Sequence, residues 1–210
     1  MRTIILLKHI PFTYLDDDFI IGVERGALDA INNNIKLNVA VGDFDSVSNI
    51  EYLLIEKNFK TIKLPIKKDV TDLAYAISLS ETNDIIILGG IEGRRVEHLF
   101  ANINLLINNV NIELRDEYSI IKCLTPGNYQ FFKDEYKFIS FFAIEDINNI
   151  SLDGFLYNLE NYNLKKYDSL CISNEIIEGK LSFDSGLLLV IKSKKDAKYY
   201  WGDIYAFFCY

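Results

Sequence analysis

Cysteine is scarce in this 210-residue chain. Cys123, Cys171 and Cys209 are odd in number, far apart and in no CxxC spacing. That excludes a disulfide framework and a zinc site, and it leaves reduced thiols in a cytoplasm as the expectation. Basic residues are also in short supply: 22 Lys and Arg stand against 30 Asp and Glu, for a formal net charge of -8 and a pI near 4.8. No block of Lys and Arg offsets this balance. Nucleic acid and anionic membrane surfaces, which both demand a basic patch, are therefore excluded as the main partner. Long apolar runs are missing as well. Ile4 to Leu7 is too short for a signal peptide, and nothing approaches the roughly 18 apolar residues of a membrane helix. There are no internal repeats and no low-complexity segments. Half of the chain is hydrophobic and a quarter charged, an ordinary balance for a protein with a real core.

The apolar residues are arranged in two textures. Up to residue 125, Thr3–Leu7, Phe19–Val23, Val39–Gly42, Thr61–Leu64 and Ile85–Leu88 are rich in Ile, Val and Leu and read as strands covered on both faces. Between them lie helical stripes: Ile50, Leu53 and Leu54, then Leu73, Ala76 and Ile77. The best marked is 95 to 109, where Val96, Leu99, Phe100, Ile103, Leu106 and Ile107 repeat at helical spacing. After the turn signal Thr125-Pro126-Gly127 the helical period fades. Short β-prone runs take over at Tyr129–Phe132, Lys137–Phe142, Gly154–Leu156, Leu181–Phe183 and Leu187–Ile191, with Asp184-Ser185-Gly186 reading as a hairpin turn between the last two. The expected fold is an α/β N-terminal domain, residues 1–125, with a parallel sheet flanked by helices. An all-β C-terminal sandwich, residues 126–210, follows it.

Three loops concentrate chemistry at the expected carboxyl edge of the parallel sheet, where open α/β sheets bind ligands. The first, Gly42-Asp43-Phe44-Asp45-Ser46, follows an apolar strand. Alternation along an extended chain turns Asp43 and Asp45 the same way, and two converging carboxylates call for a cation such as magnesium. Ser48 and Glu51 have capping-box spacing, so part of this loop also serves as a helix entry. The second loop, Lys67-Lys68-Asp69-Val70-Thr71-Asp72, puts two further carboxylates before a helix. One of them can cap the helix while the other stands on its first turn, and capping by itself would account for both. The third, Gly89-Gly90-Ile91-Glu92-Gly93-Arg94-Arg95, lets backbone N–H groups approach phosphate ahead of a helix N-terminus. Arg95, His98 and Asn102 then form one polar stripe on that helix, which reads either as a nucleotide face or as a solvated surface.

Taken together and in this order, these loops resemble the thiamine pyrophosphokinase family. Gly-Asp-Phe-Asp-Ser stands at 42–46, Lys-Asp-x-Thr-Asp at 68–72, and Arg94-Arg95-Val96-Glu97-His98-Leu99-Phe100-Ala101-Asn102 corresponds to Gly-Gly-Arg-x-Asp-His-x-x-Ala-Asn. Glu24-Arg25-Gly26-Ala27 corresponds to Asp-(Gly/Arg)-Gly-Ala, Gly154 to Leu159 to Gly-x-x-Tyr-Pro-Leu, and Ser173-Asn174-Glu175 to Ser-Asn-Glu. Glu24 and Glu97 replace aspartates, Arg94 a glycine and Asn158 a proline. The resemblance implies an ATP-binding N-terminal domain, a thiamine-binding C-terminal domain, and a cytoplasmic homodimer with thiamine held between subunits. It also implies diphosphate transfer from ATP to the thiamine hydroxyl. Asp43, Asp45, Asp69 and Asp72 would be the catalytic, magnesium-holding residues. Arg25, Gly26, Gly90, Arg95, His98 and Asn102 would bind the nucleotide, and Ser173 and Asn174 the thiamine. Trp201, in the aromatic tail, would stack on the thiamine rings; an extra strand or a subunit contact is the other reading of that tail. Two rival functions are a dehalogenase-type phosphatase with Asp43 as nucleophile, and a nucleotide sensor without turnover.

Overall fold

Branched aliphatic residues suit a pleated strand covered on both faces, and each apolar run of the first half forms one. A computed structural model describes residues 1–93 and 95–195. Arg94 and the tail with Trp201 lie outside the described residues. The strands are β1 (Thr3–Leu6), β2 (Phe19–Val23), β3 (Val39–Gly42), β4 (Thr61–Lys63) and β5 (Ile85–Leu88), followed by β6 (Ile112–Arg115). β1 is central and parallel to β2 on one side and β5 on the other, with Ile4 opposite Ile20 and Ile86. β3 and β4 extend the sheet beyond β2, and β6 extends it beyond β5, all in parallel.

Helices α1 (Arg25–Asn32), α2 (Asn49–Asn58), α3 (Asp72–Ser78) and α4 (Val96–Asn108) lie between the strands. Alternate residues of each strand feed two cores. Ile5, Ile21, Val41 and Ile87 pack with Leu73 and Ala76 of α3 and Leu106 of α4. Ile4, Leu6, Ile20 and Ala40 pack with Ala27 and Leu28 of α1 and Ile55 of α2. One helical stripe departs from expectation. Ile50, Leu53 and Leu54 are exposed, and α2 docks instead through Ile55 with Tyr52 and Phe59 beside it, the helical spacing that faces α1.

The second half brings β7 (Ser119–Leu124), β8 (Gly127–Phe132), β9 (Phe138–Ala143), β10 (Ile147–Phe155), β11 (Leu159–Leu164), β12 (Asn174–Phe183) and β13 (Leu188–Ser193). β7 pairs antiparallel with β6, β13 with β7, and β9 with β13, so the parallel sheet runs on into an antiparallel one without a gap. β12 pairs with β9 through its first residues and with β10 and β8 through its later ones, which carries the chain into a second layer edged by β11. The hairpin expected at Asp184-Ser185-Gly186 is therefore absent. β13 leaves the partners of β12 and pairs with β7 and β9, so the turn crosses between layers.

Between these layers Phe141 sits edge-on to Phe131 and to Phe155, with ring centroids 6.0 and 5.8 Å apart, a favoured aromatic geometry. Phe141 is fully buried. Phe141→Ala should cost about 3–5 kcal/mol of unfolding free energy, whereas Ile50→Ala on the exposed side of α2 should change it by less than about 0.5 kcal/mol. Urea unfolding of the two variants checks both figures.

Candidate active site

Parallel pairing brings the carboxyl ends of β1, β2, β3 and β5 to one edge, and the residues just beyond them line a cleft of about 620 Å³. From β2 come Glu24 and Arg25, from β3 Asp43, Asp45 and Ser46, from β5 Gly90, Glu92 and Gly93. Asp72 stands at the start of α3, and α4 contributes His98 and Asn102 with Arg95 just ahead of it.

The acid loop is held in an unusual backbone shape. Glu24 and Phe44 have φ of 53° and 58°, a region that non-glycine residues enter only when the surroundings enforce it. The enforcing contacts are visible. The Phe44 N–H donates to Glu24 Oε1 at 2.8 Å and the Ser46 hydroxyl to Glu24 Oε2 at 3.0 Å. Arg25 donates to the Ser46 carbonyl at 3.0 Å, and Phe44 buries its ring beside Tyr52. Phe44 turns left-handed between them, yet Asp43 and Asp45 stay in contact and both line the cleft. Asp43 points inward, while Asp45 stays exposed at the cleft wall, its N–H donating to Asp43 Oδ1 at 3.2 Å.

Glu24, Asp43 and Asp72 are the carboxylates that converge, each with an oxygen within 4.8 Å of the others. Lys68 lies against two of them, its Nζ 2.5 Å from Asp43 Oδ2 and 3.0 Å from Asp72 Oδ1. The Lys68 ammonium holds the Asp43 carboxyl below its usual range. Burial pushes Glu24 up, against the pull of the Phe44 and Ser46 hydrogen bonds. Asp72 Oδ1 is buried, with the Lys68 ammonium as its partner at 3.0 Å. Three carboxylates whose charge one ammonium only partly offsets suit a small divalent cation. Asp69 takes no part in this cluster. It is exposed and absent from the cleft wall, and Thr71 caps α3 in its place, its Oγ1 accepting from the Ala74 N–H at 3.1 Å. Ser48 and Glu51 do form a reciprocal capping box on α2.

Among the described residues α4 begins without a side-chain cap at Arg95, and the His98 N–H donates to the Arg95 carbonyl at 3.0 Å. Gly90 has φ 83°, and a Cβ there would meet Asn102 Nδ2 at 2.9 Å. Asn102 donates instead to the Gly90 carbonyl at 2.9 Å, fixing the loop to the helix. Arg95, His98 and Asn102 all face the cleft as their spacing predicts, with Arg95 and Glu97 paired at 2.7 Å. Gly26 is buried at the start of α1 and does not line the cleft. A Cβ there would come within 1.9 Å of the Leu6 carbonyl, so this glycine permits close approach of α1 to β1.

Ser173 and Asn174 do not line the cleft either. Ser173 is exposed at φ 58°, with its N–H on Ser140 Oγ at 2.9 Å. Asn174 is buried and occupied: its Oδ1 accepts from the Tyr157 and Glu175 N–H groups, and its Nδ2 donates to the Tyr157 carbonyl at 2.7 Å. The result is a clamped turn that presents Tyr157, 65% exposed, next to Ser173. Tyr157, Glu24 as a cluster member and the bridging Lys68 escaped the reading of the sequence. Counting acids just beyond every strand end would have found Glu24.

The family model described as "Thiamin pyrophosphokinase, catalytic domain" matches residues 13–115, and "Thiamin pyrophosphokinase, vitamin B1 binding domain" matches residues 128–188. Thiamine pyrophosphokinase of Bacillus subtilis (strain 168) is 39% identical over 184 residues, 82% of this chain and 86% of the relative. The crystal structure of thiamine pyrophosphokinase from Bacillus subtilis superposes with a TM-score of 0.82 at 33% identity, covering 92% of this chain and all of that one. That of Geobacillus thermodenitrificans gives 0.81 at 28% identity, over 94% and 99%.

The raised Glu24 carboxyl has a thermodynamic consequence. Between the ordinary carboxylate range and the raised value, the folded chain keeps a proton that the unfolded chain has lost, so stability falls as pH rises through that window. Glu24→Gln keeps an acceptor for the Phe44 N–H and removes this loss. The variant should unfold at higher urea than wild type at pH 7, and the gap should close below about pH 4. A wild type more stable than the variant at pH 7 would refute this account.

Proposed function

The chain belongs to the thiamine pyrophosphokinase family, and we propose that this cleft binds ATP with its polyphosphate between the acid cluster and the start of α4. The reaction transfers diphosphate from ATP to the thiamine hydroxyl. The hydroxyl oxygen forms a bond to the β-phosphorus, the bond from that phosphorus to the oxygen bridging to the α-phosphorus breaks, and AMP leaves with its electron pair. The hydroxyl proton is released. Little covalent work falls to the protein in such a transfer, so positioning and charge neutralisation account for most of the rate.

The carrying observation is the convergence of Glu24, Asp43 and Asp72 in the same cleft as Gly90 and the start of α4. Acid alone would repel a polyphosphate. Those three carboxylates would hold magnesium, which would supply positive charge to the polyphosphate. The backbone at Gly90 and the start of α4 would donate to phosphate oxygens, Arg95 faces the charge that develops on them, and Arg25, His98 and Asn102 border the nucleotide. Asp45 touches Asp43 at the cleft wall and supports the cluster there, while Asp69 outside it acts at longer range through the field. Gly26 contributes packing beneath the nucleotide loop.

Thiamine is bound by the surface around Ser173, with Tyr157 on the turn that Asn174 clamps. This surface lies outside the cleft of its own chain, which supports a homodimer that brings one subunit's Ser173 and Tyr157 to the other's phosphates. Exposed Leu156, Ile172 and Ile177 nearby suit such a contact. A division near residue 125 into nucleotide and thiamine domains agrees with the two matched segments. A cytoplasmic setting agrees with the unpaired, buried thiols of Cys123 and Cys171.

The test is AMP release from ATP and magnesium with and without thiamine. Wild type should release AMP only with thiamine, and Asp43→Asn should lose at least about 100-fold in rate. ADP or free phosphate as the product would overturn the reading, and Tyr157→Ala should raise KM for thiamine while leaving that for ATP unchanged.

A further inference from the structure

Lys68 occupies a position that the reaction scheme leaves without a task. It leaves the segment between β4 and α3, and its ammonium settles between Asp43 and Asp72, with 13% of its side chain exposed. Three carboxylates and one ammonium make a cluster that is still negative by two charges. The ammonium meets both oxygens, at 2.5 Å from Asp43 Oδ2 and 3.0 Å from Asp72 Oδ1. Directed N–H groups cannot satisfy converging oxygens as a spherical ion can. A divalent ion bound to the same oxygens would be a few ångströms from the ammonium, and in this shielded cleft the two would repel strongly. They cannot share the place.

We infer that the Lys68 ammonium is the cation of the metal-free cleft, displaced from Asp43 and Asp72 when metal and nucleotide enter together and transferred to the incoming polyphosphate. This rests on the reading of Glu24, Asp43 and Asp72 as metal-holding residues. Its flexible four-carbon stem gives Lys68 the reach for both positions. The consequence is ordered binding. Free metal must displace an ammonium paired with two carboxylates, whereas metal arriving with a polyphosphate brings an anion that receives it. Lys68 is thus a positioning residue that couples the two ligands.

Manganese titration of the nucleotide-free protein, followed by electron paramagnetic resonance, tests this. Lys68→Met should bind free Mn2+ at least 10-fold more tightly than wild type, and Lys68→Arg, which keeps the charge, should not. The same Lys68→Met protein should bind a non-hydrolysable ATP analogue with Mn2+ several-fold more weakly. A purely structural ion pair predicts lower stability with no gain in metal affinity, and that outcome overturns the inference. If Lys68→Met does not fold, the wild type decides: the 13Cε signal of Lys68, assigned with Lys68→Arg, should move when Mn2+'s diamagnetic counterpart Mg2+ is added with the analogue. A signal that stays in place also overturns it. Asp43→Asn and Asp72→Asn separate the two levels of argument. Should both bind Mn2+ as wild type does, the metal reading itself fails; should they lose the metal while Lys68→Met gains nothing, only the role of Lys68 fails.

Discussion

Parallel pairing about β1 is the constraint on which the remainder depends. Because β2, β3 and β5 run in the same direction as β1, the residues that follow Val23, Gly42 and Leu88 emerge at one edge. Loops far apart in the chain become neighbours there. The ladder itself is insulated by apolar cores on both faces, so its register does not depend on the charges it displays. That separation is what allows the edge to hold an arrangement of acids that would be unfavourable in isolation.

Glu24, Asp43 and Asp72 repel one another, and folding must hold them together. Two devices do so. Lys68 supplies a positive charge within reach of Asp43 and Asp72, and Glu24 spends its carboxylate oxygens on Phe44 and Ser46, locking the loop that displays Asp43. The backbone carries the remaining cost. Glu24, Phe44 and Ser173 all lie at positive φ, and such residues typically cost on the order of 1–3 kcal/mol each. Two of them shape the acid edge, and Asn34, Asn149, Asn161 and Tyr167 share the same conformation elsewhere in the chain.

The second half solves a different problem. Its antiparallel strands continue the central sheet and then fold a second layer over it through β12, around Phe131, Phe141 and Phe155. Asn174, at the bend where β12 begins, uses its amide to clamp Tyr157. The residue that the family pattern assigns to thiamine here fixes the turn at Tyr157.

The sequence by itself determined the strands of the first half, the helix from about 95 to 109 and the three chemical loops. These are local properties: branched aliphatic runs favour strands, and glycine and aspartate mark turns and helix entries wherever they stand. It also made the family legible, because Gly42 to Ser46 and Lys68 to Asp72 are contiguous patterns. Tertiary structure alone decided which acids meet. Glu24 and Asp72 are 48 positions apart in the numbering, and both converge on Asp43. The same holds for the turn at Asp184 to Gly186, whose hairpin composition yields to the better burial β13 finds between β7 and β9. Side-chain alternation predicts direction only while the backbone stays extended, and strand partners depend on surfaces that no short stretch of sequence contains.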